Sequence, residues 1–202
     1  MSGFNTAFIE KTKEFVGGFI GENFSEKICY HNIDHTLEVV EASEVIGRHC
    51  KLTDRDLEIV IIAAWFHDTG YFLGCENHEE ASSNIAKQYL QNENIDPSYI
   101  HQVVNCILST KLPQKPRTIL EQIICDADLV HLASDQFLEK SKLLLHELKL
   151  QNRGMSDKMW LILSKEFIET HKYHTQYGKN VLFPGLKNNL SLLNSKILEI
   201  EE

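Results

Sequence analysis

Paired cysteines are missing from this sequence. No two of its cysteines have the Cys-x-x-Cys spacing that is typical of structural zinc sites; the five lie at positions 29, 50, 75, 106 and 125. Most of them neighbour apolar residues, which favours reduced and packed thiols over disulfide bonds. Apolar surroundings also raise the pKa of a thiol, so the pattern argues against a cysteine nucleophile. We therefore predict a cytoplasmic protein.

Positive charge is scarce as well. The chain carries 20 Lys and Arg against 29 Asp and Glu, which gives a formal net charge of −9 at pH 7. A protein that follows a nucleic-acid backbone needs many clustered basic residues, so this composition argues against polymeric nucleic acid as a partner. No apolar run approaches membrane-spanning length, and the opening MSGFNTAFIEKTKEF lacks the apolar segment of a signal peptide. We expect no membrane partner.

Alternating strand patterns of useful length are also absent, and apolar residues recur instead at helical spacing. We predict helices that begin near 4 and near 32, then a central helix that Thr53 or Asp54 caps and that carries the run 59–68, followed by helices over 79–90, 100–108, 118–132, 137–150, 160–168 and 186–200. The apolar residues expected to face inward in the first two helices are Phe4, Phe8, Phe15 and Phe19, then Leu37, Val40 and Val45. No repeat or linker divides the chain, so we predict one all-α domain over residues 1–202.

One apolar run, Ile59–Phe66, leads directly into His67 and Asp68. A helix that is apolar on every face is a buried helix, and eight residues are too few to cross a bilayer. Protein must therefore surround this helix. The doublet at its end has two interpretations, namely buried polar groups that a metal ion partners, or ordinary polar residues at an exposed helix end.

Two further stretches carry polar side chains of interest. In YHNIDHT, His31 and His35 are four residues apart, which places both on one face of a helix; they are either a metal ligand and its neighbour or two surface histidines. In ICDADL, Asp126 and Asp128 interrupt an apolar run and need a cation unless both face solvent. About 200° of helix rotation separates these two carboxylates, so they do not easily serve one site.

Together, these three stretches resemble the HD-domain superfamily of metal-dependent phosphohydrolases over roughly residues 28–132. The YHNIDHT run is also similar to the opening motif of cyclic-nucleotide phosphodiesterases. The resemblance implies one HD-type helical bundle, which the remaining helices complete. It implies that His35, His67, Asp68 and Asp128 are metal ligands. It also implies that His31 and Asp68 act in catalysis, with His31 protonating the leaving group.

Two imidazoles and two carboxylates form a mixed donor set that suits Mn²⁺, Fe, Co²⁺, Ni²⁺, Zn²⁺ or Mg²⁺. Such an ion activates water and stabilises charge on phosphoryl oxygens, while a nearby imidazole protonates the departing alkoxide. We expect hydrolysis of a phosphoester in a small phosphorylated molecule, a nucleotide or a cyclic phosphodiester. The alternatives are a nucleoside-monophosphate phosphatase, a nucleotide pyrophosphohydrolase and, from another class, a metal-bearing ligand sensor with little turnover. The oligomeric state is left open.

Three further predictions concern residues outside this ligand set. His78 resembles the first of the extra histidines in two-metal HD enzymes, so His78 and Glu79 are candidates for a second metal or a bridging water, unless they are solvent-exposed. Where some two-metal members have another histidine, this chain has Ser109-Thr110-Lys111. Lys111 lies in the acid-free segment 97–120 and is a candidate for binding substrate phosphate, unless it belongs to a solvated loop. A cluster near the C-terminus is predicted to be helix-surface packing rather than a nucleobase wall: His171, Tyr173, His174 and Tyr177.

Overall fold

A computed structural model describes residues 5–74 and 76–201 of the protein. In that part of the chain the regular elements are helices, and the prediction of an all-α fold is confirmed. The α-helices are α1 (Thr6–Glu22), α2 (Ile33–His49), α3 (Asp54–Phe66), α4 (His78–Asn92), α5 (Pro97–Ser109), α6 (Ile119–Asp128), α7 (Phe137–Leu150), α8 (Asp157–Thr170) and α9 (Phe183–Glu201). Two 3₁₀ turns, Thr69–Leu73 and Val130–Ala133, and one π turn, Gly178–Leu182, lie between them.

The central element is α3, which packs against α1, α2, α5 and α6. Thr53 begins it by accepting a hydrogen bond from the backbone N–H of Asp56 at 3.2 Å. Every residue from 59 to 68 is buried, as the apolar run predicts. The exposed-end interpretation of the doublet is therefore wrong, because His67 is only 1% exposed and Asp68 only 6%. The helix ends at Phe66, and the next two residues carry these side chains into the interior.

The inward face of α2 differs from the prediction, whereas that of α1 agrees with it at Phe8 and Phe15. Phe8 is buried, and Phe15, although 40% exposed, packs its ring against Phe66 and Tyr89 with centroids 5.9 and 4.5 Å away. In α2, Leu37 and Val45 are exposed, and the buried residues are His35, Thr36, Val39, Ser43, Ile46 and Gly47. The reason is that the face of α2 carrying His35 is turned toward the end of α3, which puts Leu37 and Val45 on the other side of the helix. Phe4 and Cys75, which also entered the sequence predictions, lie outside the described residues.

The predicted helix over 118–132 is shorter in the structure. It begins after Thr118, whose hydroxyl accepts a hydrogen bond from the backbone N–H of Glu121, and it ends at Asp128. The chain then continues in a 3₁₀ turn, Val130–Ala133. This early end leaves Asp128 as the last residue of α6, and the following turn directs His131 toward Tyr30.

Close backbone packing joins the turn Thr69–Leu73 to the start of α4. A Cβ on Gly70 would lie 2.2 Å from the carbonyl oxygen of His78 and 2.6 Å from the backbone nitrogen of Ser82. Only glycine allows this approach, which a hydrogen bond from Gly70 N–H to Ser82 Oγ stabilises. The contact brings the first residue of α4 next to the end of α3.

The C-terminal helices complete the fold around one side of the molecule. α8 packs on α7 and α9, yet Ile168 is its only fully buried residue among those described. Several apolar side chains of α8 instead line a cavity that is described below. None of the described helices combines the length and the apolar character needed to cross a membrane.

Candidate metal centre and active site

Four donor atoms from three helix ends converge beside the end of α3. His35 Nε2 lies 3.3 Å from Asp68 Oδ2 and 3.5 Å from Asp128 Oδ1. His67 Nε2 lies 3.1 Å and 3.6 Å from the same two oxygens. The two Nε2 atoms are 3.4 Å apart. The structure thus brings together the four side chains that the resemblance assigns to a metal.

The two imidazoles are held in different ways. His67 Nδ1–H donates to the carbonyl oxygen of Ala64 at 2.7 Å, which leaves Nε2 with a lone pair that faces the other donors. The backbone of His35 is held at the first turn of α2, because the side-chain oxygen of Asn32 caps that helix and accepts from the backbone N–H of His35 at 3.1 Å. The Nδ1 atom of His35 is buried and has no hydrogen-bond partner in the described part of the chain.

The spacing of these atoms fits one divalent ion. Ligands about 2.1 Å from an ion are about 3.0 Å apart in octahedral geometry and about 3.4 Å apart in tetrahedral geometry. The distances of 3.1 to 3.6 Å match these edges. His35, His67 and Asp128 each offer a donor atom within 4.8 Å of the other two, and one oxygen of Asp68 completes the set. The donor set is neither all-oxygen nor thiolate, which fits the transition metals named above and also Mg²⁺.

The charges in the site favour a bound cation. Burial alone would lower the pKa of His35, but hydrogen bonds with Asp128 and Asp68 outweigh it and raise the pKa to about 10. Burial alone would raise the pKa of Asp68, yet the neighbouring imidazoles of His67 and His35 hold that pKa well below its ordinary value. Burial alone would raise the pKa of the part-buried Asp128 as well, but the contacts with His35 and His67 outweigh burial and lower that pKa. Both carboxylates therefore stay ionised, and a metal can replace the protons that balance them.

Comparison with known families decides what this arrangement belongs to. The family model of the HD domain matches residues 32–133, just over half of the chain. The chain belongs to the HD-domain family. HD domains bind divalent metals, and the family is one of metal-dependent hydrolases. No curated protein matches the sequence.

The fold of this HD-domain protein is also found in a solved structure. The structure described as a predicted HD superfamily hydrolase from an uncultured Thermotogales bacterium aligns with a TM-score of 0.60. The alignment covers 93% of this chain and 90% of the other at 19% identity. At that identity the likeness extends to the fold alone, and it includes the C-terminal helices that lie beyond the family match.

His78 and Glu79 lie on the other side of Asp68 in this HD domain. His78 Nε2 is 3.5 Å from Asp68 Oδ1 and 3.5 Å from Glu79 Oε1. Asp68 thus presents one oxygen to the first ligand set and the other to this pair. His78 is part-buried and Glu79 is buried, so the solvent-exposed alternative is wrong for both.

His31 precedes α2 instead of lying on it, because Asn32 caps that helix. Its position is set by Glu147 of α7, which is fully buried. One Glu147 oxygen is 2.5 Å from His31 Nδ1, and the other accepts from the backbone N–H groups of Tyr30 and His31. Burial alone would raise the pKa of Glu147, but the contact with His31 lowers it below its ordinary value. His31 also stacks on Tyr71 with ring centroids 3.9 Å apart.

Sequence reasoning missed Glu147, which lies beyond the family match. Its only signal is an acidic residue between leucines in LLLHELKL, a pattern that many surface helices share. His131, in the same apolar run as the two aspartates of ICDADL, is another residue to which the sequence assigns no role. Its ring contacts Tyr30 Oη at 3.1 Å, and burial together with the charge of His35 lowers the pKa of His131 to about 3. His131 is therefore neutral at pH 7.

The structure does not bring Lys111 into the cavity beside the metal site. Its ammonium lies 2.5 Å from Glu80 and 3.2 Å from the side-chain oxygen of Asn77. Its neighbours Thr110 and Leu112 line the cavity instead.

Asp126 points away from the metal site, as the helix rotation predicts. Its oxygens accept hydrogen bonds from the backbone N–H groups of His174 and Thr175, each at 2.8 Å, and from Thr175 Oγ1 at 2.6 Å. Burial raises the pKa of Asp126 above its ordinary value in spite of these bonds. The same contacts place the aromatic cluster at 171–177 in packing roles, with Tyr173 buried against α6 and donating to the carbonyl oxygen of Leu129.

Proposed function

We propose that this HD domain hydrolyses a phosphoester of a small phosphorylated molecule, and that nucleotides, cyclic phosphodiesters included, are the first class to test. The observation that carries the proposal is that each of two imidazole nitrogens lies 3.1 to 3.6 Å from one oxygen of Asp68 and from one oxygen of Asp128. His35, His67, Asp68 and Asp128 would hold the ion. When bound there, a divalent ion supplies Lewis acidity that makes water a better nucleophile and offsets charge on phosphoryl oxygens.

His31 is suited to the second requirement of the reaction, a proton for the departing oxygen. Its Nδ1–H is held by the Glu147 carboxylate, so Nε2 is the ring atom left for the cavity. A protonated His31 can transfer the Nε2 proton to the leaving alkoxide while Glu147 keeps the ring oriented. Glu147 is a positioning residue in this proposal. Because α7 supplies it, we also propose that residues 1–202 form one domain.

The pair formed by His78 and Glu79 supports a second cation position or a hydrogen-bonded water. Asp68 Oδ1, which faces His78 at 3.5 Å, would then be shared between the two positions. This arrangement would let Asp68 act in catalysis as well as in ligation. Lys111 is left out of the proposed mechanism because Glu80 already binds it.

The test combines metal analysis with a substrate panel. The purified protein is loaded separately with Mn²⁺, Fe²⁺, Co²⁺, Ni²⁺, Zn²⁺ and Mg²⁺, and bound metal is measured by mass spectrometry. Each loaded form is then given cyclic nucleotides, linear dinucleotides, nucleoside monophosphates and nucleoside triphosphates. Metal-dependent product release supports phosphoester hydrolysis, and Asp128→Ala, which removes one ligand, is the matched inactive control.

The panel also separates the alternatives. Release of inorganic phosphate from monophosphates alone would indicate a phosphatase, and release of pyrophosphate would indicate a pyrophosphohydrolase. Tight binding of a phosphate compound without turnover under any metal would contradict the enzymatic proposal and favour a ligand sensor.

A further inference from the structure

The cavity beside the metal site has two chemically different ends. It has a volume of about 360 Å³, within the range of small-molecule sites. One end is formed by the metal-site side chains and His31. The other end, called here the apolar chamber, is lined by Leu132, Phe137, Leu144, Trp160, Leu163 and Phe167. The phosphate end is thus continuous with a space that offers hydrocarbon contact.

The arrangement of α8 shows that the chamber is more than a packing gap. Trp160, Leu163 and Phe167 follow one another at helical spacing and share one face of α8. All three side chains line the cavity; Phe167 also packs against the core, whereas Trp160 and Leu163 do not, and Leu163 remains 40% exposed. When an apolar group of a ligand displaces water from such an apolar stripe, the free energy of binding becomes more favourable.

Several of the polar groups around the chamber already have partners in the protein. Trp160 Nε1–H donates to Ser141 Oγ at 2.8 Å, and the ammonium of Lys140 is ion-paired with Glu38. His131 contacts Tyr30. Among the described residues that line the cavity, none is Asn, Gln or Arg. The side chains that commonly read the hydrogen-bonding edge of a nucleobase, or clamp a second phosphate, are therefore not offered there.

We propose that the apolar chamber binds an alkyl or aryl group, so that the substrate class is a phosphoester of a hydrophobic alcohol. The inference rests on the proposed phosphoester hydrolysis, and it replaces the nucleoside part of the substrate class given there with a hydrophobic alcohol. In the reaction, a water oxygen bonds to phosphorus, the P–O bond to the leaving alcohol breaks, and the proton on His31 Nε2 goes to that alcohol oxygen. The water proton returns to solvent, so no oxidant or co-reactant is needed.

The test measures binding, so that it does not depend on turnover. Ethyl-, butyl- and hexylphosphonate carry the same anionic head and cannot be hydrolysed at a P–O–C bond. Their affinities for the metal-loaded protein are measured by calorimetry, with adenosine 5′-monophosphate as the nucleotide comparison. Each methylene that leaves water should tighten binding about fourfold. Hexylphosphonate should therefore bind at least ~10-fold more tightly than ethylphosphonate and more tightly than the nucleotide.

Leu163→Gln supplies the matched variant, because Leu163 is exposed enough to be replaced without unfolding the helix. It should flatten the dependence of affinity on chain length. Met159→Gln, also an exposed apolar residue of α8 but outside the cavity lining, should leave that dependence at its wild-type value.

Two results would overturn the inference: affinities that do not change with chain length, or a nucleotide that binds more tightly than hexylphosphonate. The proposed function can fail separately. Absence of hydrolysis of the nucleotide panel and also of hexyl phosphate, together with chain-length-dependent binding, would reject the enzyme and keep the apolar chamber. Hydrolysis with affinities that do not depend on chain length would keep the enzymatic proposal and reject the apolar chamber.

Discussion

His31 and His35 lie four residues apart but face different partners. His35 Nε2 faces the two carboxylates, whereas His31 is bonded through Nδ1 to Glu147. His35→Ala should therefore lower bound metal and activity together. His31→Ala should keep metal near the wild-type amount while the turnover of alkyl esters falls ~10²–10⁴-fold, the usual contribution of a general acid. Metal content by mass spectrometry and steady-state rates on the same samples separate the two variants.

The leaving group provides the control for His31. An activated group such as p-nitrophenolate needs little protonation, so His31→Ala should recover much of its relative rate on p-nitrophenyl esters. Equal defects on both substrates, with metal retained, would instead indicate that His31 binds substrate. Loss of metal in this variant would place His31 among the ligands.

Glu147 should act through His31. Glu147→Gln keeps the shape of the side chain and one acceptor oxygen but removes the charge beside His31 Nδ1. We expect a rate loss on alkyl esters with little change on p-nitrophenyl esters, and unchanged metal content. The double variant with His31→Ala should be no slower than His31→Ala alone, because residues that act as a unit have non-additive effects. Additive losses in this double-mutant cycle would mean that Glu147 stabilises the fold independently of His31.

The two aspartates of α6 should separate metal binding from stability. Asp128→Ala removes a ligand and should abolish metal binding and activity. Asp126→Ala leaves two buried backbone N–H groups without their acceptor and should cost on the order of 3 kcal/mol of unfolding free energy. Its metal content should stay near wild type. Denaturant unfolding and metal analysis together check this, and loss of metal in Asp126→Ala alone would reverse the assignment.

At the scale of single elements, Gly70 controls how the turn after α3 packs on α4. Gly70→Ala places a methyl group against the backbone of His78 and Ser82, so we expect ~1–3 kcal/mol of destabilisation and displacement of His78. The first ligand set does not involve α4 and should keep its ion. Metal stoichiometry and thermal unfolding measure both effects.

Gly18→Ala is the control for that substitution. Gly18 lies within α1, and a Cβ there would meet nothing within 4 Å. This substitution should be neutral or stabilising by up to ~1 kcal/mol, since alanine favours helix. A similar loss of stability in both variants would show that the close contact at Gly70 is unimportant.

The sequence predicted where helices begin and end more accurately than it predicted which side of a helix is buried. The prediction for α7, residues 137–150, agrees with the structure at both ends, and Asn32 caps α2 where expected. Leu37 and Val45 were assigned inward from apolarity alone. In the structure the face of α2 is set by His35, a polar residue whose burial depends on partners from α3 and α6. Local periodicity does not contain that tertiary information.

At the scale of the whole molecule, the candidate ligand set could be named from the sequence because three short local patterns together resemble one family, although each pattern alone left a non-ligand alternative open. Glu147 could not be named, because its partner His31 is 116 residues away and nothing local marks the contact. The apolar chamber was missed for the same reason. Its walls come from α7, α8 and the turn Val130–Ala133, which are separate in the sequence. The apolar stripe of α8 has the same sequence pattern as a helix face that packs in a core.

The unfolding free energy of the whole chain should depend on pH through His171. Burial lowers the pKa of His171 from 6.5 to about 4, with the charge of His174 adding to the shift and Asp128 opposing it. The unfolded chain therefore binds a proton at a higher pH than the folded protein does. Between about pH 6.5 and 4, His171 should reduce unfolding free energy by up to ~1.4 kcal/mol per pH unit, and above pH 6.5 this penalty should vanish.

Replacement of this histidine isolates its contribution from the other titrating groups. Near pH 8, the unfolding free energy of His171→Phe should differ from that of wild type only by the constant effect of exchanging the ring. As pH falls toward 4, the variant should become more stable relative to wild type. Phe167→Leu keeps the histidine but removes the ring that stacks on it and thus part of the burial that lowers its pKa, so this variant should have a shallower pH slope than wild type. Both are measured by urea unfolding in excess chelator, which keeps metal binding from varying with pH. A constant difference between His171→Phe and wild type across this range would mean that His171 is protonated as readily in the folded protein as in the unfolded chain, and that α8 leaves it open to water.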